Sequence, residues 1–226
     1  MKNFTLMILC AGFGSRMLNL TRSTPKPLLK YKNKVLLKNT IDFFTNIGCD
    51  EILINTHYLH NKIKKYLDKN FKKYPIQIIY EKKILGTGGG VKNIFNYTNR
   101  KKICVVNSDI FWTKKNKSHI KYFLGNYRDV SHCKMLLSKD INFLGLKKEN
   151  GDFNLKRNVV TNWKSKNEKL YYSGLQIVSK NIFNNRKKIF PMNEIWTKLI
   201  KKNQIKGYVI PSKIRHIGDK KSILEN

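Results

Sequence analysis

Two cations of this sequence, Arg16 and Lys26, stand in surroundings that suit phosphate chemistry. Arg16 closes Gly12-Phe13-Gly14-Ser15-Arg16, which follows the apolar run Leu6–Cys10 after a single Ala11. Glycines without a Cβ let backbone N–H groups approach a phosphate, and a guanidinium adds a planar, permanently charged donor fork. Lys26 lies between Pro25 and Pro27. Their rings fix φ, so a compact ammonium is presented from a stiff turn. Together these residues predict a site for a nucleoside triphosphate. By itself, a Gly-x-Gly pair is also what a tight strand-to-helix turn requires. Two familiar phosphate motifs are excluded: the dinucleotide fingerprint needs a third glycine where Met17 stands, and the Gly-Lys-Ser/Thr of a Walker loop is absent.

A carboxylate belongs to the same picture. Asn107-Ser108-Asp109 ends the apolar run that begins at Lys102. Beside a triphosphate, Asp109 suits Mg²⁺, a hard ion that takes oxygen ligands and few protein groups. Standing alone, Asp109 would serve equally well as a cap or in an Asx-turn. Gly86-Thr87-Gly88-Gly89-Gly90 reads as a second flexible loop able to approach a phosphate or a base, leading into a helix through Phe95.

The elements that must carry these residues alternate. Phe4–Cys10 reads as a buried strand, Glu51–Asn55 as a second, Ile76–Tyr80 as a third and Lys102–Asn107 as a fourth. Between them, Leu37, Ile41, Phe44 and Ile47 recur at helical spacing over Leu36–Ile47, with Gly48 as a stop. Ile63, Leu67 and Phe71 form the apolar face of a lysine-rich helix over Asn61–Phe71. Such alternation predicts right-handed βαβ units and a mainly parallel sheet, whose ligands bind beyond the carboxyl ends of the strands. Gly12-x-Gly14, Gly86–Gly90 and Asp109 all fall at those ends. After Asp109 the rhythm changes. Lys134–Ser138, Phe153–Lys156, Val159–Trp163 and Leu170–Val178 read as short strands of an added antiparallel layer, followed by a helix at Asn193–Ile200 and a strand at Ile205–Ile210. The expected fold is α/β, a Rossmann-like three-layer sandwich with a mixed, mainly parallel sheet and a small antiparallel addition.

At 226 residues the chain is expected to form a single domain. Its formal net charge of +32 directs attention to anionic partners. The lysines are scattered in pairs from Lys64-Lys65 to Lys201-Lys202 rather than concentrated, which argues for a solvated surface and against nucleic acid. Cys10, Cys49, Cys104 and Cys133 have no CxxC or zinc spacing, and Cys10 and Cys104 read as small buried hydrophobes. No run approaches membrane-spanning length and no signal peptide is recognised, so a cytoplasmic, reduced protein without membrane partners is expected.

Gly12-x-Gly14-x-Arg16-Met17 followed by Thr24-Pro25-Lys26-Pro27-Leu28 resembles the signature of the sugar-1-phosphate nucleotidyltransferases, which have a GT-A-like fold. Leu85-Gly86-Thr87-Gly88-Gly89-Gly90, Asn107-x-Asp109-x-x-Trp112, Gly151-Asp152-Phe153 and Ser173-Gly174-Leu175 occur in the order found in N-acetylmuramate-1-phosphate uridylyltransferases of peptidoglycan recycling. The resemblance implies that residues 1–112 form a nucleotide-binding half and residues 113–226 a sugar-binding half. Ala11, Gly12, Gly14, Ser15, Arg16, Lys26, Thr87 and Gly88 would bind UTP, with Arg16 and Lys26 catalytic. Asn107, Asp152 and Gly174 would hold the sugar, and Asp109 would hold Mg²⁺. The implied reaction is attack of a sugar 1-phosphate oxygen on the α-phosphorus of UTP, with release of pyrophosphate. GTP or dTTP with mannose, heptose or glucose 1-phosphate is the nearest alternative, and a nucleotide-binding protein with weakened catalysis is another. That last reading rests on one departure. The family places a second metal-binding aspartate two residues before a glycine near the carboxyl terminus, and here that position is His216, in Ile214-Arg215-His216-Ile217-Gly218-Asp219. Imidazole is a poor Mg²⁺ ligand. Asp219 or water replaces it, or one metal is held less tightly, or activity is reduced, or His216 donates to a phosphate.

Overall fold

The computed structural model describes residues 4–125, 127–146, 148–164, 166 and 168–224. Phe4–Cys10 (β1) is apolar at every position but Thr5 and is buried almost throughout, as a strand covered on both faces must be. Its side chains alternate between two cores. Leu6 and Ile8 pack on one side with helices α1 (Leu36–Thr45), α2 (His60–Asn70) and α4 (Lys117–Leu124). Met7 packs on the other with α3 (Gly86–Ile94) and α5 (Asn193–Lys201). Helices thus cover both faces of one sheet, the three-layer arrangement expected from the alternation.

Besides β1, the sheet contains β2 (Cys49–Thr56), β3 (Ile76–Tyr80), β4 (Lys102–Asn107), β5 (Cys133–Lys139), β6 (Phe153–Lys156), β7 (Val159–Asn162), β8 (Leu170–Ser179) and β9 (Ile205–Ile210). Their order is β6-β7-β9-β5-β8-β4-β1-β2-β3. β3, β2, β1 and β4 are parallel, and β8 runs antiparallel against β4, with Leu175 opposite Val106. The later strands therefore extend the same sheet. The antiparallel addition expected from the short apolar runs is part of the main sheet, where β8 supplies the hydrogen-bond partners that β4 lacks on its outer side.

The chain leaves β1 toward β2 and returns on the opposite side as β4, so a switch point lies between β1 and β4 at their carboxyl ends. A small second sheet covers that end. Ile214–His216 lies between Ile110–Phe111 and Phe143–Leu144, with His216 opposite Ile110. The tail is thereby brought to within one residue of Asp109. Among the described residues no helix is long and apolar enough to cross a membrane.

Candidate active site

At the switch point lies a cleft of about 350 Å³. Its first wall is the loop after β1. Gly14 has φ 68°, a left-handed conformation that suits glycine and turns the chain into a 3₁₀ helix over Ser15–Thr21. The Met17 N–H donates to the Gly14 carbonyl at 2.8 Å, and the Met17 side chain is fully buried. With Met17 as the anchor, Ser15 and Arg16 stay on the exposed side of the turn. Gly14 also packs tightly, since a Cβ there would lie 3.0 Å from both Lys26 Cβ and Thr21 Cγ2.

Lys26 opens a short 3₁₀ turn, Lys26–Leu28, with Pro25 extended before it. Its Nζ lies 2.6 Å from Asp109 Oδ2, and both side chains are largely buried, 12% and 15% exposed. His216 Nε2 is 3.4 Å from the same oxygen. The Ile217 N–H donates to the Asp109 carbonyl at 2.8 Å, so backbone and side chain of Asp109 are both tied to the tail. Burial works against a charged Asp109, but the His216 hydrogen bond and the Lys26 charge outweigh it. The carboxyl is held well below the usual carboxylate range. Asp109 Oδ1 is buried without a hydrogen-bond partner. Trp112, three residues on, fastens this loop to α1. Its N–H donates to Asn39 Oδ1 at 2.8 Å, its carbonyl accepts from Asn39 Nδ2 at 2.9 Å, and its ring stacks on Phe43.

The opposite wall contains a relay that sequence reasoning missed. The Cys10 N–H donates to Asn55 Oδ1 at 3.0 Å, Asn55 Nδ2 to Glu81 Oε1 at 2.8 Å, and the Leu85 N–H to Glu81 Oε2 at 3.1 Å. The signal was available, because Asn55 and Glu81 fall at the carboxyl ends of β2 and β3 as Asp109 follows β4. The relay connects the loop after β1 to the start of α3.

The cleft brings together Ala11, Gly12, Gly14, Ser15, Arg16, Lys26, Thr87, Asn107 and Asp109. Gly88 is not among its lining residues: its N–H donates to the Phe190 carbonyl at 3.0 Å. The glycine run is not a flexible loop but the opening of α3. Gly174 sits behind Asn107, where an added Cβ would lie 3.3 Å from Asn107 Cβ. Asp152 is outside the cleft lining. It forms an ion pair with Lys148, and its Oδ2 accepts the Tyr172 N–H at 3.2 Å, two residues before Gly174. Asp219 Oδ1 accepts the Ser222 N–H at 2.8 Å and so caps α6 (Lys220–Leu224). Among the described residues no three His, Cys, Asp or Glu side chains cluster as metal ligands.

A sequence model of the family described as Nucleotidyl transferase matches residues 5–136. The chain belongs to this family. Two D-glycero-alpha-D-manno-heptose 1-phosphate guanylyltransferases are among its relatives. The one from Aneurinibacillus thermoaerophilus is 29% identical over 46% of this chain and 45% of its own length. The one from Campylobacter jejuni is 26% identical over 79% and 77%. An N-acetylmuramate alpha-1-phosphate uridylyltransferase from Caulobacter vibrioides is 29% identical over 47% of this chain and 46% of that one. The matched stretch thus spans under half of the first and third of these relatives. In fold, the crystal structure of HddC from Yersinia pseudotuberculosis aligns with 99% of this chain and 97% of its own at a TM-score of 0.76 and 21% identity.

Proposed function

We propose that the protein transfers a nucleotidyl group from a nucleoside triphosphate to a sugar 1-phosphate, releasing pyrophosphate. The observation that carries this reading is the meeting of Arg16, Lys26 and Asp109, from three separate segments, in one cleft at the sheet's switch point. In the reaction a sugar phosphate oxygen bonds to the α-phosphorus as the bond between that phosphorus and the bridging oxygen breaks. The nucleophile is already an anion, so alignment and charge neutralisation suffice.

Each residue has a place in that scheme. The open backbone at Gly12 and the guanidinium of Arg16 would hold the departing pyrophosphate. Lys26 would neutralise the α-phosphate and the incoming phosphate, with Asp109 fixing its ammonium in the meantime. Ala11 and Thr87 would flank the base. Asn107 would meet the sugar, with Gly174 behind it and Asp152 at the same end of β8. Asp109 Oδ1, buried and unpartnered, fits Mg²⁺, which binds through one or two carboxylates together with substrate phosphates. When bound, the ion would neutralise charge on the phosphoryl oxygens. His216 is engaged with Asp109 Oδ2.

The relatives favour GTP with a heptose 1-phosphate, since the match that spans 79% of this chain is to a heptose 1-phosphate guanylyltransferase. UTP with N-acetylmuramate 1-phosphate is the second reading, supported by the order of the shorter motifs and by the uridylyltransferase relative. A panel of GTP, UTP, CTP and dTTP against heptose, mannose, glucose and N-acetylmuramate 1-phosphates, read by pyrophosphate release with Mg²⁺, tests both. Product from GTP with a heptose or mannose 1-phosphate is expected. Product only from UTP selects the second reading. Nucleotide-induced thermal stabilisation without pyrophosphate from any pair overturns the catalytic reading.

A further inference from the structure

The glycine run of α3 leans on a segment 100 residues away. The Phe190 carbonyl accepts the N–H groups of Gly88 and Gly89, each at 3.0 Å, and the Phe190 N–H donates to the Leu85 carbonyl at 3.0 Å. The Met192 N–H donates to Thr87 Oγ1 at 2.9 Å. The Phe190 ring is 2% exposed and lies flush against the helix, so that a Cβ on Gly88 would fall 2.5 Å from its Cδ2. A Cβ on Gly86 would fall 2.6 Å from the Phe190 carbonyl oxygen. The ring also carries the Arg186 guanidinium, 5.0 Å from its centroid, and Arg186 is ion-paired with Glu194 on α5.

These contacts have two chemical consequences. A helix start offers unpaired N–H groups to an anion. At α3 the N–H groups of Gly88 and Gly89 are already taken by the Phe190 carbonyl, which leaves those of Gly86 and Thr87 at the cleft. Gly86 and Thr87, which do line the cleft, are held in place by groups behind them rather than by their own flexibility.

We infer that Phe190 is a positioning residue that acts through Gly86–Gly89 to set the wall of the nucleotide site. The inference rests on the nucleotide-binding reading proposed above. Phe190 is not among the residues that line the cleft. Its main-chain hydrogen bonds survive truncation, but loss of the buried ring behind Gly88 lets the start of α3 relax, which weakens nucleotide binding while leaving Arg16, Lys26 and Asp109 in place.

The test measures nucleotide dissociation constants by calorimetry with GTP and UTP in Mg²⁺, together with kcat and both KM values on the active substrate pair. The proteins are wild type, Phe190→Ala, Phe190→Leu, Gly88→Ala and the double variant Gly88→Ala/Phe190→Leu. Phe190→Ala and Gly88→Ala are each expected to weaken nucleotide binding about tenfold or more, with kcat and the sugar phosphate KM changed less than about threefold. The double variant, in which a smaller side chain makes room for the new Cβ, is expected to bind nucleotide several-fold more tightly than Gly88→Ala alone. If Phe190→Ala does not fold, the Gly88→Ala single and double variants decide. The inference is overturned if a folded Phe190→Ala binds nucleotide like wild type, if kcat falls in place of affinity, or if the double variant is no better than Gly88→Ala. Wild-type protein that binds neither nucleotide sinks the functional reading first, and the inference with it.

Discussion

Two glycine-bearing stretches flank the cleft, and their glycines do opposite things. A Cβ built on Gly12 meets nothing within 4 Å, so the space beside that residue faces the cleft and is open to a ligand. A Cβ on Gly88 or Gly89 strikes the Phe190 ring or the Lys188 carbonyl, so that space is already filled by the protein. One stretch keeps its backbone bare for a substrate, the other for a buried neighbour. Glycine content alone does not reveal which; what stands opposite the missing side chain does.

The largest effect expected on this contrast comes from the charged side of the cleft. Lys26→Ala should lower kcat by about a hundredfold or more, comparable to the loss of one preorganised charge donor. Its melting temperature should fall as well, since the largely buried Asp109 carboxylate loses its cation. Pyrophosphate release and a thermal melt on the same preparation check both. Unchanged turnover would remove Lys26 from the chemistry and leave its pairing with Asp109 purely structural. Gly89→Ala, which points away from the cleft, should act on stability alone. Helix propensity favours alanine by about 1 kcal/mol, but the forced approach to a backbone carbonyl costs about 1–3 kcal/mol. With the clash at the upper end of that range, a net loss of about 2 kcal/mol and a fall in melting temperature of roughly 4–8 °C follow for a chain of this size. A rise in melting temperature would show that the start of α3 is looser than its contacts imply. Gly12→Ala should leave the melt of the free protein within about 0.5 kcal/mol of wild type. The nucleotide KM should nevertheless rise about tenfold, as the new methyl group takes up ligand space. An equal loss of stability in Gly12→Ala and Gly89→Ala would erase the distinction.

The same contrast explains what the sequence disclosed and what it withheld. β1, α1 and α2 were legible because their apolar periodicity is local, and the wall carrying Arg16, Lys26 and Asp109 was legible because strand ends gather in α/β sheets. The start of α3 was read as a loop because glycine is a poor helix former. Its helical state depends on Phe190, whose pairing with it is invisible at a separation of 100 residues. The union of β8 with β4 was hidden for the same reason, since strand pairing over some 70 residues leaves no local trace. Asn55 and Glu81 looked like ordinary polar ends of strands. Only folding places them in hydrogen-bond contact and gives the buried carboxylate of Glu81 its partners. Asp219 looked like a spare metal ligand because a carboxylate one residue after Gly218 fits that role on paper. In the fold its Oδ1 accepts the Ser222 N–H and so caps a helix end, and it is not among the residues lining the cleft.

The smallest effect concerns the thiol at the root of the bare loop. Cys10 ends β1, immediately before Ala11 and Gly12, and is 2% exposed. Burial pushes its thiol up to about 12, partly countered by a hydrogen bond with Ser108 and reinforced by the Asp109 charge. The reactive species is the thiolate. At pH 8 a group titrating near 12 holds about a thousandth of the thiolate that an ordinary thiol near 9 would hold, before any steric shielding. Native protein treated with iodoacetamide at pH 8 should therefore leave Cys10 unmodified over a time in which the urea-unfolded chain is fully labelled, with peptide mass spectrometry as the readout. Nucleotide should make no difference, because the space at Gly12 is open without any movement of β1. Rapid labelling of Cys10 that nucleotide suppresses would mean that the loop after β1 opens down to its root. The bare space at Gly12 would then reflect motion rather than a cleft already shaped for its ligand.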